Sequence, residues 1–396
     1  MTTTPRTALD PTHTVRLLTP DGRFEPSPAA EEYLPFLDRV DESTRLAFHR
    51  NMVLTRAFDH ACANLQRQGE LGLWVPSHGQ EAAQTGSAFA ARPQDHLFPS
   101  YREHAAALAR GVDLIGIAGL LRGVTTSGWD PTDPRSGNVH LYSLVIGTQT
   151  LHATGYALGI ALDGASGTGD PETDAAAIVY YGDGASSQGD VSEAFTFASS
   201  FQTPQVFFLQ NNQWAISVPV SRQSRTPLVD RGKGWGMPSV QVDGNDVLAS
   251  YAVTAKHLDD ARAGGGPQYI EALTYRIGAH TSSDDPTKYR PAGELETWVA
   301  RDPIVRYAAY LRAQGVAETF FDELAAESDD LTADVRRRTL ALEPPAAATM
   351  FAHAYTDPHP LVAEQADWLQ RYEASFEAAA ASDAPAAPAR TEGGDR

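Results

Sequence analysis

Gly182-Asp183-Gly184 and Asn211-Asn212, about thirty residues apart, combine residue types that can hold a hard cation against an anion. The side-chain oxygens of Asp183 and Asn212 are hard ligands. Magnesium takes about six such oxygens in an octahedron, usually few from protein and the rest from phosphate and water. One carboxylate and one carboxamide suit that division. Glycines on either side of Asp183 let the backbone approach a bulky anion closely. The plainer reading is a pair of polar turns that bond only to their own backbone.

For Asp183 and Asn212 to share an ion, the chain has to bring two distant points together. The run AAAIVYY, residues 175–181, is continuous and apolar, as expected of a strand buried on both faces, and it stops at Gly182. Asp190 is expected to cap a helix with Val191, Ala194, Phe195, Ala198 and Phe201 on one face, which Thr203-Pro204 breaks. A second apolar run, VFFLQ, ends at Asn211-Asn212. Strand, turn, helix and strand within roughly forty residues predict a right-handed parallel crossover, with functional groups at the carboxyl ends of the strands. The helix starting near Asp190 is too far from Asp183 to be the only anion partner.

The alternation extends both ways. From Asp41 to Gln68, Leu46, Met52, Val53, Phe58, Ala61 and Leu65 recur at helical spacing, and Gly69 supplies a stop. Downstream, the turn VDGND precedes an amphipathic stretch from Val247 to Ala263 and another strand-like run, YIEALTYR. These patterns predict an α/β fold: a doubly wound, mostly parallel sheet with helices on both faces and N-terminal helical additions. Residues 1–33 read as an extended arm, 34–373 as one domain and 374–396 as a disordered tail. No repeat at solenoid period appears.

Composition narrows the partners. The formal net charge of -19, from 50 Asp plus Glu against 31 Lys plus Arg, repels nucleic acid and anionic lipid surfaces. Cys62 is the single cysteine, so neither an internal disulfide nor a cysteine-built metal site is available. With no apolar run resembling a signal peptide or a membrane span, a cytoplasmic setting is expected.

GDG after a buried strand, followed by a helix and a strand ending in NN, is the thiamin-diphosphate motif, and from roughly residue 45 to residue 330 the chain resembles the α subunits of branched-chain 2-oxo acid and pyruvate dehydrogenases. NLQRQGELG with SHGQEAAQTG, LFPSYREHAAALARG, VIGTQTLHATGYALG and ALTYRIGAHTSSDDPTKYR carry the likeness. It implies a thiamin-diphosphate-binding fold, with Mg2+ held by Asp183, Asn212 and the backbone carbonyl of Trp214. It further implies cofactor contacts from Tyr101, Arg102, Leu144, Ile146, Gly184, Ala185, Gln210 and His280, with Ile146 supporting the aminopyrimidine. Arg102 suits the diphosphate because a planar guanidinium makes paired, charge-assisted bonds. His280 matches the histidine that assists acyl transfer to a lipoyl group, a step suited to an imidazole near neutral pH.

SLVIGTQ resembles a potassium site, with Ser143, Val145, Thr148 and Gln149 at the matching positions, although a helix N-cap at Thr148 explains the same residues. Three departures stand out: Gln210 occupies a position where many relatives carry a phosphate-binding arginine, Ser192 replaces a frequent histidine, and Thr281 follows His280 where mitochondrial relatives have a phosphorylated serine. His78, His104, His140 and His152 lie in the resembling segments and suit structural roles as well as site roles.

The resemblance also sets expectations for partners. The glutamate that activates the aminopyrimidine is not identifiable here, so a β subunit is expected to supply it in an α/β heterotetramer that serves a lipoyl-bearing acyltransferase. Ala153, Gly155, Ala157, Gly159 and Ala161 suit that subunit interface or a tight intrachain helix pair. Arg276, Asp284, Asp285, Tyr289 and Arg290 crowd one loop and are expected to pair when cofactor binds, a solvated turn being the plainer reading. The substrate leans to a branched-chain 2-oxo acid of the 3-methyl-2-oxobutanoate type. Pyruvate dehydrogenase and acetoin dehydrogenase α subunits, or an inactive structural subunit, are the alternatives. A nucleotide-binding dehydrogenase is disfavoured, because GASGTGD, residues 164–170, precedes a strand when it should follow one.

Overall fold

The computed structural model describes residues 10, 12–125 and 128–382. Six strands form one sheet: β1 (Thr14–Val15), β2 (His96–Phe98), β3 (Ala177–Gly182), β4 (Gln205–Asn211), β7 (Ser239–Asp243) and β8 (Gln268–Leu273). Their order is β1-β7-β8-β4-β3-β2, and every pairing is parallel. A two-residue antiparallel hairpin, β5 (Trp214–Ala215) with β6 (Val218–Pro219), follows β4.

Strand periodicity divides the core in two. Ile178 and Tyr180 of β3, with Val206 and Phe208 of β4, face one side, packed with the helices Glu42–Arg67, Glu81–Ala90 and Val247–Asp260. Val179, Tyr181, Phe207 and Leu209 face the other, against Ala153 and Ala157 of helix Thr148–Leu162 and Val191 and Phe195 of helix Gly189–Phe201. Both faces are covered, which explains why the strands read as unbroken apolar runs. The doubly wound α/β expectation is met.

Local signals set most boundaries. Asp41 caps helix Glu42–Arg67, accepting from the Thr44 backbone N–H at 2.7 Å, and Gly69 leaves it at φ +80. Asp190, expected as a cap, lies inside the first turn of Gly189–Phe201. A short 3-10 turn, Ala185–Ser187, leads directly into that helix and leaves Gln188 at the cap. Phe201 is exposed and does not share the buried face. Helix Val247–Asp260 runs on into the π-helix Ala261–Gly265, so the amphipathic stretch from Val247 to Ala263 is helical throughout.

The two ends differ from expectation. The N-terminal arm contributes β1, buries Leu17 and Leu18, and continues into the 3-10 helix Pro28–Arg39. Asp246 explains this: its carboxylate accepts from the Leu17 and Leu18 N–H groups at 2.7 and 2.6 Å, satisfying backbone that would otherwise need water. At the other end the chain divides into units at Leu342 and Glu343. In the second unit, helix Pro360–Ser382 occupies residues 374–382 of the expected tail, as the strong helix propensity of its alanine run favours, and residues 383–396 lie outside those described. Among the described residues no helix is long and apolar enough to cross a membrane.

Candidate active site

Register brings the two motifs together. Gly182 pairs with Gln210 at the ends of β3 and β4, so Asp183 and Asn211-Asn212 leave the sheet side by side. The chain then turns through Gln213, at φ +77, into the β5/β6 hairpin. Gly184 is required here: a Cβ on it would stand 2.7 Å from Ala215 Cβ, so any other residue would push the hairpin away. A cavity of ≈ 230 Å³ opens at this point, lined by Asp183, Asn212, Trp214, Tyr101, Arg102 and His280 among others.

Asp183 is 1% exposed, and burial raises its pKa while a hydrogen bond from Gln223 opposes the rise. The terminal amide atom of Asn212 nearest to it lies 3.2 Å from Asp183 Oδ1 and 3.1 Å from the Trp214 carbonyl oxygen. An amide nitrogen in that place would donate to both. An amide oxygen there would stand 3.2 Å from one hard oxygen and 3.1 Å from another, separations compatible with neighbouring ligands of a cation bound at about 2.0–2.1 Å. In that second orientation Asn212 Nδ2 donates to Gln80 Oε1 at 3.3 Å, so the amide is used at both ends. The donor set therefore fits the implied cation. Among the described residues no group of three His, Cys, Asp or Glu side chains could hold a metal instead.

Arg102 and His280 meet across the cavity. Arg102 is 5% exposed and donates to the Pro76 carbonyl, to the His280 carbonyl at 3.0 Å, and to His280 Nδ1 at 3.2 Å. Arg276 Nη1 approaches the same Nδ1 at 3.2 Å. A guanidinium can only donate, so Nδ1 must accept and the ring proton sits on Nε2. Burial and the two cations hold the His280 pKa at about 3, with Asp284 opposing. The imidazole is therefore neutral, with a fixed tautomer. Tyr101 stands edge-on to it at 6.4 Å.

Arg276, read in the sequence as one of several loop charges, is fully buried and does more than pair with that loop. It donates to the Trp214 carbonyl at 3.0 Å, to the Ile216 carbonyl at 2.8 Å and to the Tyr289 hydroxyl at 3.0 Å. Burial, with Arg102 and Arg290 nearby, pushes its pKa down to about 10. Asp284 accepts from the His280 N–H at 2.7 Å and from the Tyr289 hydroxyl at 2.5 Å. Its position just beyond a buried strand was the one available hint of Arg276's role. Nothing in the sequence distinguished Glu103, Gln80 or Gln223.

Other expected residues separate. Gln210 lines the cavity, but its Nε2 donates to Glu103 Oε1 at 2.6 Å and its Oε1 accepts from Gln84 at 3.0 Å, so the amide is committed within the protein. Glu103 is raised in pKa by burial, and its Oε2 accepts from the Ser100 N–H and hydroxyl at 2.6 and 2.8 Å. Gly184, Ala185 and Ile146 line the cavity, whereas Leu144 is exposed and does not. Thr148 is the first residue of its helix and not the cap, which is Gly147 at φ +87. Ser143 Oγ donates to the Val145 carbonyl at 3.1 Å, and Gln149 donates to the Tyr180 carbonyl at 2.9 Å while its Oε1 is buried without a partner.

His78, His104, His140 and His152 do not line the cavity. His104 is buried between the Tyr142 hydroxyl at 2.9 Å and the Val75 carbonyl at 2.8 Å, and burial lowers its pKa to about 4. His140 stacks on Phe98 at 3.8 Å. A Cβ on Gly155 or Gly159 would meet nothing within 4 Å, so neither glycine serves a tight intrachain helix pair.

The family described as "Dehydrogenase E1 component" matches residues 49–339. The 3-methyl-2-oxobutanoate dehydrogenase subunit alpha of Mycobacterium tuberculosis is 44% identical over 325 residues, 81% of this chain and 84% of that protein. The pyruvate dehydrogenase E1 component subunit alpha of Staphylococcus epidermidis is 38% identical over 304 residues, 76% of this chain and 77% of that protein. Its counterpart in Staphylococcus aureus is 38% identical over 288 residues, 72% and 74% of the two chains. The chain belongs to the dehydrogenase E1 component family.

Proposed function

We propose that this chain is the α subunit of a 2-oxo acid dehydrogenase that acts on a branched-chain acid of the 3-methyl-2-oxobutanoate type and passes the acyl group to a lipoyl group on an acyltransferase component. The observation that carries the reading is the grouping of Asp183 Oδ1, the Asn212 amide and the Trp214 carbonyl at 3.1 to 3.2 Å, a site for Mg2+ beside a diphosphate. The 44% identity to the mycobacterial subunit supports the branched-chain substrate, and the 38% identities keep pyruvate as the second reading.

Thiamin diphosphate, when bound, supplies the nucleophilic carbon and the electron sink that decarboxylation needs. The residues around it bind, orient and handle protons. Asp183, Asn212 and the Trp214 carbonyl would hold the cation, and Arg102 brings a buried positive charge to the same cavity. Neutral His280 keeps an Nε2–H available to donate a hydrogen bond to an oxygen of the substrate or acyl group. Ser143, Val145, Thr148 and Gln149 are proposed to bind K+, with the unpartnered Gln149 Oε1 as support.

Among the described residues Glu103 is the one glutamate lining the cavity, and its oxygens are engaged by Ser100 and Gln210. The acid that activates the aminopyrimidine is therefore assigned to a β subunit. Val145, Ile146, Ile216 and Val218 are exposed, and Ile146 and Ile216 also line the cavity, an apolar rim suited to being covered. A cytoplasmic setting is proposed with this function.

The test is to assemble the chain with its β partner and compare 3-methyl-2-oxobutanoate with pyruvate, with Mg2+ and thiamin diphosphate present. A higher kcat/KM for the branched acid is expected. Preference for pyruvate would move the assignment to the second reading, and turnover by the α chain alone would remove the need for a partner.

A further inference from the structure

Asp183 turns one oxygen towards Asn212, and its other oxygen is held by a side chain that no motif marks. Gln223, at the end of the short helix Val220–Gln223, donates from Nε2 to Asp183 Oδ2 at 2.7 Å and to the Val218 carbonyl at 3.0 Å. Two acceptors around one amide atom fix its identity as nitrogen. Gln223 Oε1 is left buried and without a partner, a cost that the fold accepts while keeping the donor on the carboxylate. Because Val218 belongs to the β5/β6 hairpin, the same amide ties Asp183 to the turn that delivers the Trp214 carbonyl.

We propose that Gln223 is a positioning residue that holds the Asp183 carboxylate in a one-oxygen presentation and so makes the site prefer Mg2+ to Ca2+. This rests on the metal reading given above. Mg2+ requires near-octahedral oxygens at about 2.0–2.1 Å, whereas Ca2+ at about 2.3–2.6 Å readily takes both oxygens of a carboxylate. With Oδ2 engaged by Gln223, the two-oxygen mode is closed. Free rotation of Asp183 would reopen it, so loss of the amide has to weaken Mg2+ more than Ca2+. A general loss of structure would weaken both alike.

The experiment uses the α chain assembled with its β partner and saturated with thiamin diphosphate. Bound Mn2+ is followed by electron paramagnetic resonance and displaced by Mg2+ and, separately, by Ca2+. Gln223→Leu and Gln223→Met, which lack the donor, should bind Mg2+ about 10–100-fold more weakly, with a clearly smaller Mg2+ over Ca2+ preference. Wild-type preference in either assembled variant overturns the proposal. If Gln223→Leu does not assemble, Gln223→Met decides by the same criterion. Asp183→Ala serves as the separate control: it should abolish ordered Mn2+, and unchanged Mn2+ binding there would overturn the metal reading itself, and this inference with it.

Discussion

His280 Nδ1 lies 3.2 Å from Arg102 Nη2, and because a guanidinium never accepts, this contact sets the tautomer of the ring. Arg276 reinforces it from a second side at 3.2 Å. The histidine reaches the cavity as a neutral donor, and four predictions follow from it and from the groups around it.

The first concerns pH. The folded chain holds the His280 pKa at about 3, against about 6.5 for an unfolded histidine. Below about 6.5 the unfolded chain therefore takes up a proton that the folded chain refuses. The resulting stability contribution is complete above about 6.5 and is lost as pH falls towards 3. Between pH 5 and 8, kcat/KM should carry no limb from His280, and Arg276→Gln should bring one in from the acid side. A wild-type limb near about 6.5 that disappears in His280→Gln would contradict this. His280→Ala, which removes the Nε2–H donor, should lower kcat by about 100-fold or more.

On the proposed metal reading, removing the carboxylate of Asp183 would leave Asn212 and a carbonyl, too few ligands for Mg2+ next to a diphosphate. Asp183→Ala should weaken thiamin diphosphate binding by about 100-fold or more in the presence of Mg2+, beyond the usual effect of losing an outer partner. Calorimetric titration of the assembled enzyme would measure it. An unchanged titration would favour the inactive structural subunit.

Gly184→Ala is expected to act through shape. Its new Cβ would stand 2.7 Å from Ala215 Cβ, and overpacking of this kind costs about 1–3 kcal/mol. Because Ala215 follows Trp214, the hairpin should shift and cofactor affinity should fall together with the melting temperature. A fall in melting temperature alone would place the strain elsewhere.

Tyr289 links Asp284 to Arg276, and Asp284 holds the backbone of His280. If cofactor orders this loop, thiamin diphosphate with Mg2+ should protect residues 280–290 from proteolysis, and Tyr289→Phe should reduce the protection. Equal cleavage with and without cofactor would count against a switch.

Much of this molecule could be read without coordinates, and the parts that could not have a common cause. Continuous apolar runs such as AIVYY and VFFL are local signatures of strands buried on both faces, and from them the sheet, the crossover and the strand-tip positions of Asp183 and Asn212 follow. Caps were less secure: Asp41 caps its helix, whereas Asp190 yields to a 3-10 turn. The seating of the arm at the sheet edge was not legible, because its anchor, Asp246, lies more than two hundred residues away.

The sequence by itself determined that Asp183 and Asn212 bring hard oxygens to the ends of two strands, since that depends on side-chain chemistry and on the local pattern of strands and turns, while the other expected site residues came from the family resemblance. Only tertiary structure decided how those residues are aimed. Gln210 turns to Glu103, Arg276 reaches the Trp214 carbonyl, and Gln223 takes the second oxygen of Asp183, all through contacts between segments far apart in the chain. A hydrogen bond fixes direction, and direction in a folded protein depends on which distant partner arrives within about 3 Å, a property that no stretch of sequence carries alone.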